Sequence, residues 1–233
     1  MSRAQQLNKE GIVAAALAIA DADGFAALSM RRVAQELGVG TMSLYYYAKS
    51  KAELIAAMDD ALMAEVLVPR LPEHWREALT AIAQRTRDVF VRHPWALSSM
   101  QSALPGENAT LHMEQCLEAL AKTSMTTVEK FTVLALVDDF VFGYALREMA
   151  DDPVVDMDAA KKRLATGPFP ELRKAFGNEP KWSIPNRFDL GLEAIFDKFS
   201  ERGLGSTARS PNAQVQKRIL RKGNKRRAPI QRS

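Results

Sequence analysis

Gly38-Val39-Gly40 interrupts a helical pattern that has only just begun at Ser29, and a second short helical segment starts at once near Thr41. Ser29 is a good N-cap, and Val33, Ala34 and Leu37 recur at helical spacing behind it. A short helix, a tight turn with glycine and a second short helix describe a helix-turn-helix unit, whose second helix can lie in the major groove of DNA. The spacing has a physical logic. Ala34 is small where the two helices cross, Gly38 frees the turn from side-chain hindrance, and Val33, Leu37, Val39 and Leu44 fill the space beneath. The competing reading is a helical hairpin inside a bundle, in which the neighbouring aromatic residues serve only to pack.

Those aromatics, with the basic residues around them, weigh towards the first. Tyr45, Tyr46 and Tyr47 are three of the four tyrosines in the chain, and they are consecutive. Each helical residue turns about 100 degrees, so three in a row cannot all face one core. With Leu44 pointing inward, Tyr47 lies on nearly the same face, Tyr46 points out, and Tyr45 falls at the edge. The outward surface of the second helix is then Thr41, Met42, Ser43, Tyr46 and part of Tyr45, a mixture of hydroxyls and apolar groups suited to base edges. Arg31 and Arg32 before it and Lys49 and Lys51 after it bracket this surface with positive charge, against Glu36 alone. Charge placed in this way suits phosphate contacts that fix register.

Helical periodicity continues along the rest of the chain, with no convincing alternating strand, so the expected fold class is all-α. Asn8 caps a first helix through Ile12, Ala16, Ile19 and Ala20, stopped by Asp23-Gly24. Ser50-Lys51-Ala52-Glu53 is a capping box that opens a fourth helix, ending before Pro69. Beyond Pro72, helices are expected over 74–91, 95–103, 108–122, 127–150 and 186–200, with a Pro- and Gly-rich stretch over 151–185 holding a short helix around 158–165. Net charge is unevenly divided. Residues 201–233 carry ten Lys and Arg against one acid, a net of +9, while 1–200 sum to −5. The tail is therefore expected to be disordered, either a solubilising extension or an arm attracted to nucleic acid.

Residues 28–58, LSMRRVAQELGVGTMSLYYYAKSKAELIAAM, resemble the DNA-binding segment of the TetR family of transcriptional regulators, with the Leu44 to Lys51 run its most specific part. Downstream, Arg92-His93-Pro94-Trp95, Gly143-Tyr144-Ala145-Leu146 and the Phe188 to Phe199 helix are similar to the tetracycline-repressor-like C-terminal class. The resemblance implies an N-terminal three-helix helix-turn-helix head (1–50), a connecting helix (51–68) and a larger helical effector-binding and dimerisation domain (69–200), followed by the tail. It implies a homodimer, binding double-stranded operator DNA and released by a small-molecule effector, whose last two long helices build the dimer bundle. The DNA contacts it implies fall on Thr41, Met42, Ser43, Tyr45 and Tyr46, with Arg31 and Lys51 on the backbone; Lys49 is added to them by the charge bracket alone. Tyr47 stands where the family often has histidine.

For the effector, Asp138-Asp139 interrupts the apolar run FTVLALVDDFVFGYAL, and an unpaired carboxylate near an interior is expensive. One reading pairs these residues with Arg147 or with bases across a dimer. The other makes Asp138 or Asp139 a polar anchor, with Trp95, Met100, Met113, Phe140 and Tyr144 as walls. His112 and Cys116 stand four apart, but nothing completes a metal site at suitable spacing, and no cofactor is expected. The alternatives are a small enzyme, for which no glycine-rich phosphate loop or nucleophile elbow is found, and a helical protein-interaction module. The single cysteine and the absence of a long apolar run point to the cytoplasm and away from a membrane.

Overall fold

The computed structural model describes residues 7–99, 106–149, 157–176 and 186–200, and all elements among them are helical. Helix α1 (Lys9–Asp23) starts where the Asn8 side chain accepts from the Gly11 N–H at 2.8 Å. It buries Ile12, Ala16, Ile19 and Ala20 along one stripe, and Gly24, at φ 84°, ends it in a conformation other residues rarely adopt. A 3₁₀ turn (Phe25–Ala27) leads into α2 (Met30–Leu37) and α3 (Thr41–Tyr45). Helix α4 (Lys51–Val66) opens with the Ser50 side chain accepting from the Glu53 N–H, while the Glu53 carboxylate takes the Lys49 N–H at 2.8 Å. The Ser50 bond satisfies a donor that the helix start leaves unpaired, and the Glu53 bond ties down the residue before the cap.

The remaining helices are α5 (Trp75–Arg92), α6 (Ala96–Ser99), α7 (Glu107–Ala119), α8 (Thr127–Met149), α9 (Met157–Thr166), α10 (Pro170–Phe176) and α11 (Arg187–Ser200). Helix α10 falls within the stretch expected to hold only one short helix. Its first residue is Pro170, which is tolerated at a helix start because the missing N–H would have no partner there. The expected helix over 95–103 is seen as α6 up to Ser99, and its remainder lies outside the described residues, as does the basic tail. No described helix is long and apolar enough to cross a membrane.

Helix α4 is the axis of the arrangement: it packs on α1 at its start and on α5 and α7 further along, while α5 packs on α8. One apolar core runs from Ile12 and Leu44 through Met58 and Leu62 to Phe90, Val133 and Phe196. Burying side chains of this size contributes about 1.5–3 kcal/mol each. Arg76 of α5 reaches Glu193 and Asp197 of α11 at 2.6 and 2.7 Å, and Arg87 bonds Glu148 through Nε at 2.7 Å. Ion pairs this exposed contribute little energy, so they register α5 against its neighbours more than they hold the fold together.

Candidate nucleic-acid interface and effector region

The turn between α2 and α3 is built locally. Ser29 Oγ accepts from the Arg32 N–H at 3.2 Å to start α2. Gly38 ends it in the left-handed region at φ 67°, and the Val39 N–H closes back on the Ala34 carbonyl at 3.0 Å. A side chain at Gly38 would cost about 1–2 kcal/mol in that conformation. Gly40 then accepts from the Ser43 N–H at 2.9 Å, opening α3. Val33, Ala34 and Leu44 are buried under the crossing, with Leu37 and Val39 packed against them.

With Leu44 fixed inward, the rest of α3 faces out. Tyr46 is 86% exposed and Met42 80%, with Ser43 and Tyr45 exposed and Thr41 half-buried. Tyr47 turns under the motif and donates its hydroxyl to the Leu7 carbonyl at 2.7 Å, its ring edge-on to Tyr46. Arg31, Lys49 and Lys51 are exposed beside this face, and the Lys51 ammonium lies 5.8 Å from the centre of the Phe25 ring. Arg32 departs from expectation. It bonds Asp23 at 3.1 Å and Glu36 at 2.8 Å, and these carboxylates, Asp23 first, hold its guanidinium above the ordinary arginine value. Its charge is spent within the fold, leaving three cations and a hydroxyl-bearing ridge on one surface.

Residues 12–58 match the family of bacterial regulatory proteins named for tetR, and residues 68–201 match the tetracyclin repressor-like C-terminal domain. The chain belongs to the TetR family. Its relatives include the HTH-type transcriptional repressor DrrR1 of Streptomyces coeruleorubidus, 39% identical over 207 residues that span 82% of this chain and 76% of that one. The tetracycline repressor class E of Escherichia coli is 23% identical over 201 residues, 84% and 92% of the two chains. The fold is similar to that of ActR from Streptomyces coelicolor in complex with actinorhodin, with a TM-score of 0.75 and 30% identity over 88% of this chain and 100% of that chain. TetR proteins are ligand-responsive transcriptional regulators, not enzymes.

In the C-terminal helices of this TetR protein the two adjacent aspartates diverge. Asp139, Phe140 and Tyr144 come together in an open cleft of about 280 Å³ with Gly143, Arg147 and Arg187, between α8 and α11. Asp138 turns the other way, close enough to the Cys116 thiol of α7 to disfavour its ionisation. Neither aspartate forms an ion pair with Arg147 among the described residues. Trp95 does not belong to the cleft. Its indole N–H needs a partner when buried and finds one at Asp21 of α1, 2.7 Å away. Met113 is exposed on α7, away from the cleft, and Met100 lies outside the described residues.

Helices α7 and α8 both pack on α5. Between them lie His112, Cys116 and Asp138. Burial pushes the His112 imidazole down, and its Nδ1 is buried without a partner, while Nε2 faces the Cys116 sulfur at 3.8 Å. Burial and then Asp138 push the Cys116 thiol up to about 12, so it is a packed thiol and a poor nucleophile. Among the described residues no three such ligands are grouped to hold a metal.

Although the Asp138 side chain reaches solvent, the protein mass around it and then the Asp139 carboxylate push its carboxyl up to about 6. A carboxyl raised in the fold binds its proton more tightly folded than unfolded. Its ionisation is therefore a destabilising term that is absent below about pH 4 and complete above about pH 6. Asp138→Asn removes that term. The variant is expected to be more stable than the parent at pH 8, by about 1 kcal/mol or less given the solvent contact. The advantage should vanish at pH 4, and thermal unfolding at the two pH values measures it. An equal difference at both would contradict the assignment.

Sequence reading passed over a second pair of aspartates. Asp59 is 4% exposed on α4 and accepts from Ser99 Oγ at 2.6 Å; burial holds its carboxyl above the ordinary range and leaves Oδ2 unpartnered. Asp60 next to it takes the Asn108 N–H at 2.9 Å and so caps the start of α7. The signal was available, since Asp59-Asp60 interrupts the apolar run of α4 as Asp138-Asp139 interrupts that of α8.

Proposed function

We propose that this chain is a homodimeric repressor that reads an inverted-repeat operator with α3 and leaves it when a small molecule binds among the C-terminal helices. The observation that carries the reading is the outward face of α3. A helix anchored by Leu44 presents Thr41, Met42, Ser43, Tyr45 and Tyr46 together, and Arg31, Lys49 and Lys51 beside it carry the unneutralised charge. Hydroxyls and a thioether suit base edges and thymine methyls, and the cations suit phosphates.

Dimerisation through α8 and α11 is supported by the apolar groups left exposed on them, Leu136 and Leu146 on one and Leu190 on the other. Repression is supported by the relationship to DrrR1, a transcriptional repressor, and a small-molecule effector by the structures of ActR with actinorhodin and with (S)-DNPA. Such a molecule releases DNA only if it binds the non-binding arrangement better. For its polar anchor we favour the α7–α8 side, where Asp138 and the unpartnered His112 Nδ1 lie, over the cleft of Asp139, Phe140 and Tyr144, which sits on the helices assigned to the dimer. Helix α7 packs on α4 and is capped by its Asp60, so a molecule that displaces α7 would act on the helix that carries the reading head.

Selection tests the reading. The full chain is incubated at low salt with a randomised duplex pool, and the retained fraction is sequenced. The expected result is a pair of inverted half-sites centred about 34 Å apart, one helical turn, or a multiple of it. Failure to retain any duplex, its own upstream region included, would leave the interaction-module reading instead.

A further inference from the structure

The reading helices are joined to the rest of the chain covalently through α4, and the structure adds a second, noncovalent joint. Asp21, in the last turn of α1, has one carboxylate oxygen, Oδ1, that meets two donors from the turn between α5 and α6. These are His93 Nδ1 at 2.8 Å and Trp95 Nε1 at 2.7 Å. The joint is partly sealed from water: the His93 side chain is 12% exposed, that of Asp21 33%, and Trp95 8%. Beside it the Trp95 ring lies flat on Phe25 of the 3₁₀ turn, centroids 5.5 Å apart and planes within 2°, with His93 edge-on to Trp95 at 6.3 Å.

The chemistry is directional. His93 Nε2 is buried with no partner, so the ring's orientation rests on its one bond to Asp21. The indole N–H is spent on the same oxygen, and a hydrogen bond to an ionised acceptor is about twice as strong as one between neutral groups. The stacked pair blocks sliding of α1 past the turn, and the forked carboxylate blocks rotation. A body held only by α4 could swing about that helix; one held also at Asp21 keeps a single angle.

We propose that Asp21, gripped by His93 and Trp95, sets the angle of the reading helices on the body and thereby selects the half-site spacing that the dimer accepts. The inference rests on the proposed reading of paired half-sites by α3. It makes Asp21 a positioning residue: it touches no base, and it acts through the position of α3.

The test separates angle from recognition. Full-length parent, Asp21→Ala and Trp95→Phe are each offered a duplex pool in which two inverted copies of the half-site selected by the parent are separated by spacers of varied length. The parent is expected to enrich one spacing over its neighbours one base pair longer or shorter by at least about fivefold. In Asp21→Ala that enrichment should collapse towards equality while base preference within each half-site stays as in the parent. Trp95→Phe keeps an aromatic ring to stack on Phe25 and loses the N–H together with part of the indole's area, so it should flatten the spacing profile part of the way, and it carries the test if Asp21→Ala fails to fold. Spacing discrimination undiminished in a folded variant would overturn the proposal. So would loss of half-site preference together with spacing, because Asp21 would then only hold the head together. A parent that enriches no paired half-sites would instead defeat the reading of DNA on which the inference rests.

Discussion

Leu44→Ala should lower the unfolding free energy by about 2–5 kcal/mol, the range for truncating a fully buried leucine. Leu44 is 0% exposed and is the only residue of α3 buried in the core. Its side chain packs under the crossing with Val33 and Ala34, so truncation leaves a void where neighbours cannot close in without shifting the helix they belong to. Helix α3 is five residues long, too short to persist without tertiary contacts, and the loss of its anchor should therefore abolish DNA binding as well. The control lies two residues away. Met42 is 80% exposed, and Met42→Ala should change stability by no more than about 0.5 kcal/mol. Denaturant unfolding of the two variants, side by side, decides whether the underside and the outer face of α3 are divided as described.

Much of the head was legible because the forces that shape it are local. Asn8, Ser29 and Ser50 cap helices through bonds to residues three positions on, and Gly24 and Gly38 stop helices through their own backbone angles. The facing of Leu44 against Tyr46 follows from helical rotation alone, and the exposures of 0% and 86% follow from it. Pairings across the chain were not legible. Nothing near Arg32 in sequence says that Asp23 will take its second arm, and nothing near Trp95 says that its indole will find Asp21, 74 residues away. Asp138 and Asp139 could be read as a polar interruption, but only the packing of α8 between α7 and α11 sends one to each side. Helix α10 was not legible in the Pro- and Gly-rich stretch over 151–185, because a proline such as Pro170 can open a helix as well as end one.

The central claim is that the exposed face of α3 reads bases and is not simply a solvated aromatic ridge. Tyr46 is 86% exposed, with its ring edge-on to Tyr47, so Tyr46→Ala should leave thermal stability nearly unchanged. It should nevertheless weaken binding by about tenfold or more, since one good base contact contributes about 1–3 kcal/mol. Thr41→Ala removes a hydroxyl from the start of the same face and should change which base is preferred at one or two positions of each half-site, leaving the others alone. The decisive measurement is the base-preference profile of purified full-length parent, Thr41→Ala and Tyr46→Ala, selected from one duplex pool at one salt concentration. The expected result is a local change in preference for Thr41→Ala and an affinity loss for Tyr46→Ala, both in stably folded protein. Profiles and affinities indistinguishable from the parent would contradict the assignment of α3 as the reading helix.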